Sequence, residues 1–198
     1  MQPKRCRRYN PEPCSLELAL LNLLSSSSDS CSSSGFCKMF VTASNATTNA
    51  GIAGLDANCS SDSQKPSGGG TYKAMVSDGT NRRACTTANC SGGTSEHIGW
   101  VLKPSKQYRR ADGTTVIGTT TASGVFSFPL SNAIQTTVTG TNSTATGLNA
   151  DWTSGNDCSD WSANTNASNG LHDVTSDNLL FIGTSGCGNT MKVICVEQ

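Results

Sequence analysis

Histidine is scarce in this chain of 198 residues, with only His97 and His172, far apart. None of the cysteines forms a CxxC pair, so the clustered imidazole and thiolate of a structural zinc site are poorly supplied. Aromatic residues make up 6% and hydrophobic residues 35%, with Ser, Thr, Asn and Gly in their place. A core built from so little apolar material calls for covalent support. Long apolar runs are also missing. The longest, "LELALLNLL" from Leu16 to Leu24, contains Glu17 and Asn22 and is too short to cross a bilayer. Lys4, Arg5, Arg7 and Arg8 precede it as in a signal peptide, but no small-residue cleavage site follows, and Asp29 and Ser30 before Cys31 do not make a lipoprotein box.

Cysteine is plentiful. Ten occur, at positions 6, 14, 31, 37, 59, 85, 90, 158, 187 and 195, an even number that reads as disulfides and an oxidising compartment. The expectation is an exported chain whose export signal is missing from this sequence. The formal net charge of zero conceals an asymmetry, because 13 of the 14 Lys and Arg lie in residues 1–110 and seven of the 14 acids lie in residues 111–198 beside Lys192 alone. One basic face able to attract polyanions follows if the fold keeps those halves apart.

Composition divides the chain into a 1–30 tether, with Pro11, Pro13 and the serine run 25–28, and a 31–198 globular domain. "KMFVTA" reads as a strand and "AGLDANCSSD" as a short helix. Tyr72 to Ser77 forms a helical or extended element before an Asp78-Gly79 turn. "GWVLK", "TTVIGT", "GVFSFPL" and "MKVICVEQ" are strand candidates, and Asp112-Gly113 is a turn.

Several motifs occur in an order and spacing with wider meaning: "GIAGLDANC" (51–59), "GTYKAMVSDG" (70–79), "GWVLKP" (99–104), "ADG" (111–113), "DCSDW" (157–161) and "CGNTMKVICVEQ" (187–198). Together they resemble the landmarks of the endostatin domain, and more closely those of the leptospiral endostatin-like surface proteins, over about residues 36–198. The resemblance implies an α+β, C-type lectin-like domain: a mixed, mostly antiparallel sheet with two helices and long loops, braced by nested disulfides Cys59–Cys195 and Cys158–Cys187. The remaining cysteines pair most simply with near neighbours, as Cys85–Cys90, Cys31–Cys37 and Cys6–Cys14. The resemblance further implies a non-catalytic adhesin, with no cofactor, at a bacterial outer-membrane surface or secreted, any lipid anchor lying outside this sequence. Its expected partners are host matrix and plasma proteins such as laminin, fibronectin, plasminogen and complement regulators, with glycosaminoglycans as a further polyanionic ligand. The alternatives are a carbohydrate-binding lectin-like domain and a structural envelope protein without a host ligand.

The residues offer little for catalysis or metal. "GLNADWTSGNDCSDW" (147–161) gathers Asp151, Asp157 and Asp160, yet an EF-hand register from Asp151 puts Thr153 at position three and Ser162 at position twelve. No "EPN" or "QPD" occurs, and "GTSGCG" departs from a nucleophile elbow at Cys187. Binding candidates are basic: Lys103, Lys106, Arg109 and Arg110 around Tyr108, and Arg82 with Arg83 beside the Cys85–Cys90 loop. Arginine's planar fork and tyrosine's amphipathic ring suit a docking patch.

Overall fold

The apolar, β-branched stretch near residue 40 forms β1 (Phe36–Val41), and its alternating side chains serve two cores. Cys37, Met39 and Val41 join one apolar cluster, and Phe40 joins the other. The computed structural model describes residues 31, 35–46, 48–68, 70–136, 140–188 and 191–198. The 1–30 tether and the Cys6–Cys14 pairing lie outside the described residues.

Helix α1 (Gly51–Ser61) buries Leu55 and Cys59, which share a face at i, i+4 spacing. Beyond its end, the Asp62 carboxylate accepts from the amides of Ala43 (3.0 Å) and Gln64 (2.8 Å). The strands that follow are β2 (Tyr72–Ala74), β3 (Gln107–Arg110), β4 (Val116–Thr119), β5 (Ser143–Ala145), β6 (Asn166–Leu171), β7 (Gly183–Gly186) and β8 (Lys192–Glu197). They form an eight-stranded sheet in the order β4-β3-β1-β8-β5-β6-β7, with β2 also pairing β8. Strand β8 is the hub: β1 runs along one edge, and β2 and β5 divide the other, opposite residues 195–197 and 192–193 respectively. Among the described strands β1 with β3 and β5 with β8 are parallel and the other pairs antiparallel, so the sheet is mixed and mostly antiparallel.

Two expected strands are not strands. "GWVLK" and "GVFSFPL" are irregular, although Val101, Leu102, Val125 and Phe126 are buried. Their polar groups are met from side chains and distant loops: Trp100 Nε1 donates to the Gly124 carbonyl, Trp152 Nε1 to the Phe126 carbonyl, and the Leu130 amide to the Thr175 carbonyl. Satisfied in this way, a buried apolar segment needs no ladder. Tyr72 to Ala74 takes the extended form.

Four disulfides brace the described residues: Cys31–Cys37, Cys59–Cys195, Cys85–Cys90 and Cys158–Cys187. Cys59–Cys195 fastens α1 to the hub strand across 136 residues. Cys158–Cys187 fastens the second helix, α2 (Cys158–Trp161), to the residue after β7. α2 is a turn of left-handed helix, with φ of 57°, 54°, 57° and 58° along its four residues. L-residues resist that hand by roughly 1–2 kcal/mol each. Here it is held by the bridge, by the Trp161 amide on the Asp157 carbonyl (2.7 Å), and by the fully buried Trp161, whose Nε1 donates to the Ser77 carbonyl (3.1 Å). Gly147 makes room for that ring, since a Cβ there would lie 2.0 Å from Ser77 O and 2.9 Å from Trp161 Cζ2. Among the described residues the result is an α+β architecture with the helices α1 and α2, one mixed sheet and four disulfides.

Candidate functional site

Strand geometry decides the fate of the basic residues. Neighbours on a strand point to opposite faces, and Arg109 and Arg110 do so on β3. Arg109 lies over the Phe36 ring, 4.1 Å from its centroid, and donates to the Gly113 carbonyl (3.0 Å). Arg110 donates through Nε to the Ala133 carbonyl (2.9 Å). Tyr108, just before them on β3, is fully buried, packs edge-on to Phe126, and accepts at its hydroxyl from the Lys103 amide (2.7 Å). Burial pushes its phenol up to about 12.

Arg82 is not a surface residue either. Its guanidinium makes a two-pronged pair with Asp56 of α1, both bonds 2.8 Å, and also donates to the Ala74 carbonyl of β2 (2.8 Å). Arg83 donates through Nε to the Glu96 carbonyl (3.0 Å). Of the expected docking residues, then, Arg82 and Tyr108 are internal braces, and Arg109 and Arg110 serve different faces. Lys103 and Lys106 in the loop before β3, together with Arg83, Arg109 and Arg110, are half-buried and remain within reach of solvent.

Two of the three aspartates of the 147–161 loop line separate clefts. Asp157 lines one of about 430 Å³ with Asn156, Ser159, Thr165 and Asn166. Its carboxyl is pushed upward, chiefly by burial and further by the nearby charges of Asp160 and Asp78, against a bond from the Asp160 amide. Asp151 lines the other, a cleft of about 580 Å³ shared with Asn89, Thr121, Ser127, Phe128 and Asp177. No single carboxylate cluster forms.

The larger cleft has a rigid apolar back. Trp152 is fully buried and stacks on Phe128 with centroids 5.9 Å apart and planes 12° apart, while Trp100 meets it edge-on at 6.0 Å. The rim is polar. The Asn89 amide donates to the Asp151 carbonyl (2.7 Å), and Asp151 Oδ1 accepts from the amide and hydroxyl of Thr153. Asp151 Oδ2, the Asn89 side-chain amide and the Asp177 carboxylate keep free hydrogen-bonding capacity among the described residues. Asn89, Phe128 and Asp177 escaped the sequence reading, because cleft and ring stack are assembled from segments far apart in the chain. The odd apolar content of "GVFSFPL" was the one available signal.

The histidines are separate. His172 is buried, with Nδ1 3.1 Å from the Gln135 carbonyl oxygen, and His97 is half-buried beside Cys90. Among the described residues no helix is long and apolar enough to cross a membrane. A family described as "Protein of unknown function (DUF1554)" matches residues 41–178. No curated protein sequence matches the chain.

Proposed function

We propose that this chain, which belongs to the DUF1554 family, is an exported, non-catalytic binding module with an endostatin-like, C-type lectin-like fold, acting as an adhesin at a bacterial outer surface. Its partners in this reading are host matrix or plasma glycoproteins of the laminin, fibronectin, plasminogen or complement-regulator kind. Four disulfides support an oxidising location. The observation that carries the reading is the 580 Å³ cleft: a rigid aromatic wall, a polar rim with unspent donors and acceptors, and loops pinned at Cys85–Cys90. Pre-formed walls of this kind lower the ordering cost of association.

The test is surface binding of the disulfide-intact chain to each protein, comparing two triple variants. Asn89→Ala/Asp151→Ala/Asp177→Ala is expected to weaken the bound partner by about tenfold or more. Lys103→Ala/Lys106→Ala/Arg109→Ala is expected to change mainly the salt dependence. Unchanged affinity in the cleft variant, with intact folding, rejects the site.

The cleft also favours a second reading, a carbohydrate-binding lectin-like domain. The half-buried Phe128 ring beside carboxylate and amide groups can take part of a sugar ring's apolar face and its hydroxyls together. A glycan array run with and without chelator separates the two. Chelator-insensitive binding of free saccharide, lost with the cleft residues, supports the second.

A further inference from the structure

The larger cleft carries charge of one sign. Asp151 and Asp177 both line it, and none of the described residues around it is a lysine, arginine or histidine. The ion pair among the described residues joins Arg82 to Asp56, so neither cleft carboxylate is paired with a cation there. Asp151 Oδ1 already accepts from the amide (3.1 Å) and the hydroxyl (2.6 Å) of Thr153, which leaves Oδ2, and Asp177 has both carboxylate oxygens unspent. The half-buried Phe128 ring lines the same cleft and is backed by Trp152.

These groups are held in place by the chain itself. Asp177 begins the short turn Asp177–Leu179, and the segment leading into it is tied to the Phe128 segment by the Leu130 amide on the Thr175 carbonyl (2.7 Å). Asp151 is tied through its carbonyl to the Asn89 amide (2.7 Å), and Asn89 sits in the loop closed by Cys85–Cys90. A cleft lined by charge of one sign concentrates ligands of the other. An inorganic divalent ion suits this one poorly, because the two aspartates belong to no cluster of three carboxylate, thiolate or imidazole ligands among the described residues, and the Phe128 wall offers no oxygen. A guanidinium suits both carboxylates and the ring. It is planar, spreads one charge over five N–H donors, is weakly hydrated, and stacks on aromatic faces.

We propose that the cleft receives an arginine side chain of the partner protein, its guanidinium against the Phe128 ring and its N–H groups donating to Asp151 Oδ2 and the Asp177 carboxylate. The proposal rests on the reading of this cleft as the docking site and names what enters it. The exposed side-chain amide of Asn89, unspent at the rim, serves the backbone on either side of the arginine. Lysine is the poorer ligand, since its compact, strongly hydrated ammonium offers no planar face to the ring. A neutral side chain of the same shape leaves both charges unanswered.

The experiment titrates the oxidised full chain, at matched ionic strength, with N-acetyl-arginine amide, N-acetyl-lysine amide and the uncharged isostere N-acetyl-citrulline amide. Binding is followed by NMR at the Trp152 indole N–H, which donates to the Phe126 carbonyl, and at the Asn89 side-chain amide. The arginine compound is expected to shift both signals and to bind at least about fivefold more tightly than the citrulline compound, with lysine between them. Asp151→Asn/Asp177→Asn keeps shape and an acceptor for Thr153, and is expected to abolish the preference for arginine over citrulline. Equal binding of arginine and citrulline, lysine bound as tightly as arginine, or a preference that survives in the double variant each overturns the proposal. The same double variant separates this failure from that of the docking site: host-protein binding kept in Asp151→Asn/Asp177→Asn but lost in the triple alanine variant overturns the arginine proposal and leaves the cleft standing, whereas binding kept in both overturns the two together.

Discussion

Replacing Arg82 by methionine removes the guanidinium that joins α1, β2 and the 78–82 turn, and the structure fixes how much that should cost. The Arg82 side chain is 5% exposed and that of Asp56 23%. Breaking a buried pair from one side costs about 3–5 kcal/mol, because it strands the other charge. In Arg82→Met the stranded group is the better-solvated Asp56, which keeps its bond from the Ala74 amide, so the lower end of that range applies. In Asp56→Asn the stranded group is the nearly inaccessible arginine, so the upper end applies. Asp56→Leu/Arg82→Met removes both charges and should recover to within about 1–2 kcal/mol of the parent. Urea denaturation of the oxidised protein, followed by tryptophan fluorescence, measures all of these. At about 2–4 °C per kcal/mol for a chain this size, Arg82→Met should also lower Tm by roughly 6–12 °C. A loss under about 1 kcal/mol in Arg82→Met, or a double variant as unstable as the two single changes added, would refute the account of Arg82 as an internal brace.

Removing the Cys59–Cys195 bridge by paired Cys→Ala changes should cost on the order of 5 kcal/mol as an upper figure, since it closes a loop of 136 residues; chemical denaturation measures it, and a loss below about 1 kcal/mol contradicts the entropic reasoning. Bonds from the hydroxyl and amide of Thr87 and the amide and hydroxyl of Thr86 hold the Glu96 carboxyl down to about 2 against its ordinary 4.5. Its stabilising contribution is therefore complete above about pH 4.5 and lost as pH falls toward 2. Glu96→Gln should flatten the Tm-against-pH curve over that interval, and an unchanged slope counts against the clamp. Gly147→Ala should collapse the near-ultraviolet circular dichroism of Trp161, because φ is +63° and the new Cβ meets Ser77 O at 2.0 Å; a parent-like spectrum with unchanged stability would show that the tryptophan does not need that space.

Strands with apolar or β-branched stretches, β1, β4 and β8, could be read from the sequence, and so could α1, where Leu55 and Cys59 share a face. Strands β5, β6 and β7 could not. "STA", "NASNGL" and "GTSG" carry almost no apolar signal, yet the middle of β6 is buried: Gly170 packs so close that a Cβ would sit 2.0 Å from Leu179 O, and Asn169 donates to Ser143 Oγ. Small, hydrogen-bonded polar residues can fill an interior without looking hydrophobic. The basic residues misled for the reverse reason. Arginine reads as surface, and the partner that draws Arg82 inward lies 26 positions away on a helix. The cleft was legible only as scattered parts, because Asn89, Phe128, Asp151 and Asp177 are neighbours in space alone.

The hub position of β8 bears on the timing of folding during synthesis. Strands β1, β2 and β5 share no common partner until residues 192–197 have left the ribosome, and Cys59 cannot find Cys195 before then. Most of the chain must therefore emerge before its sheet can close, the situation of slow, non-local folders. A nascent chain of this design cannot close its sheet before residues 192–197 appear, so β1, β2 and β5 wait on one strand however early each of them emerges.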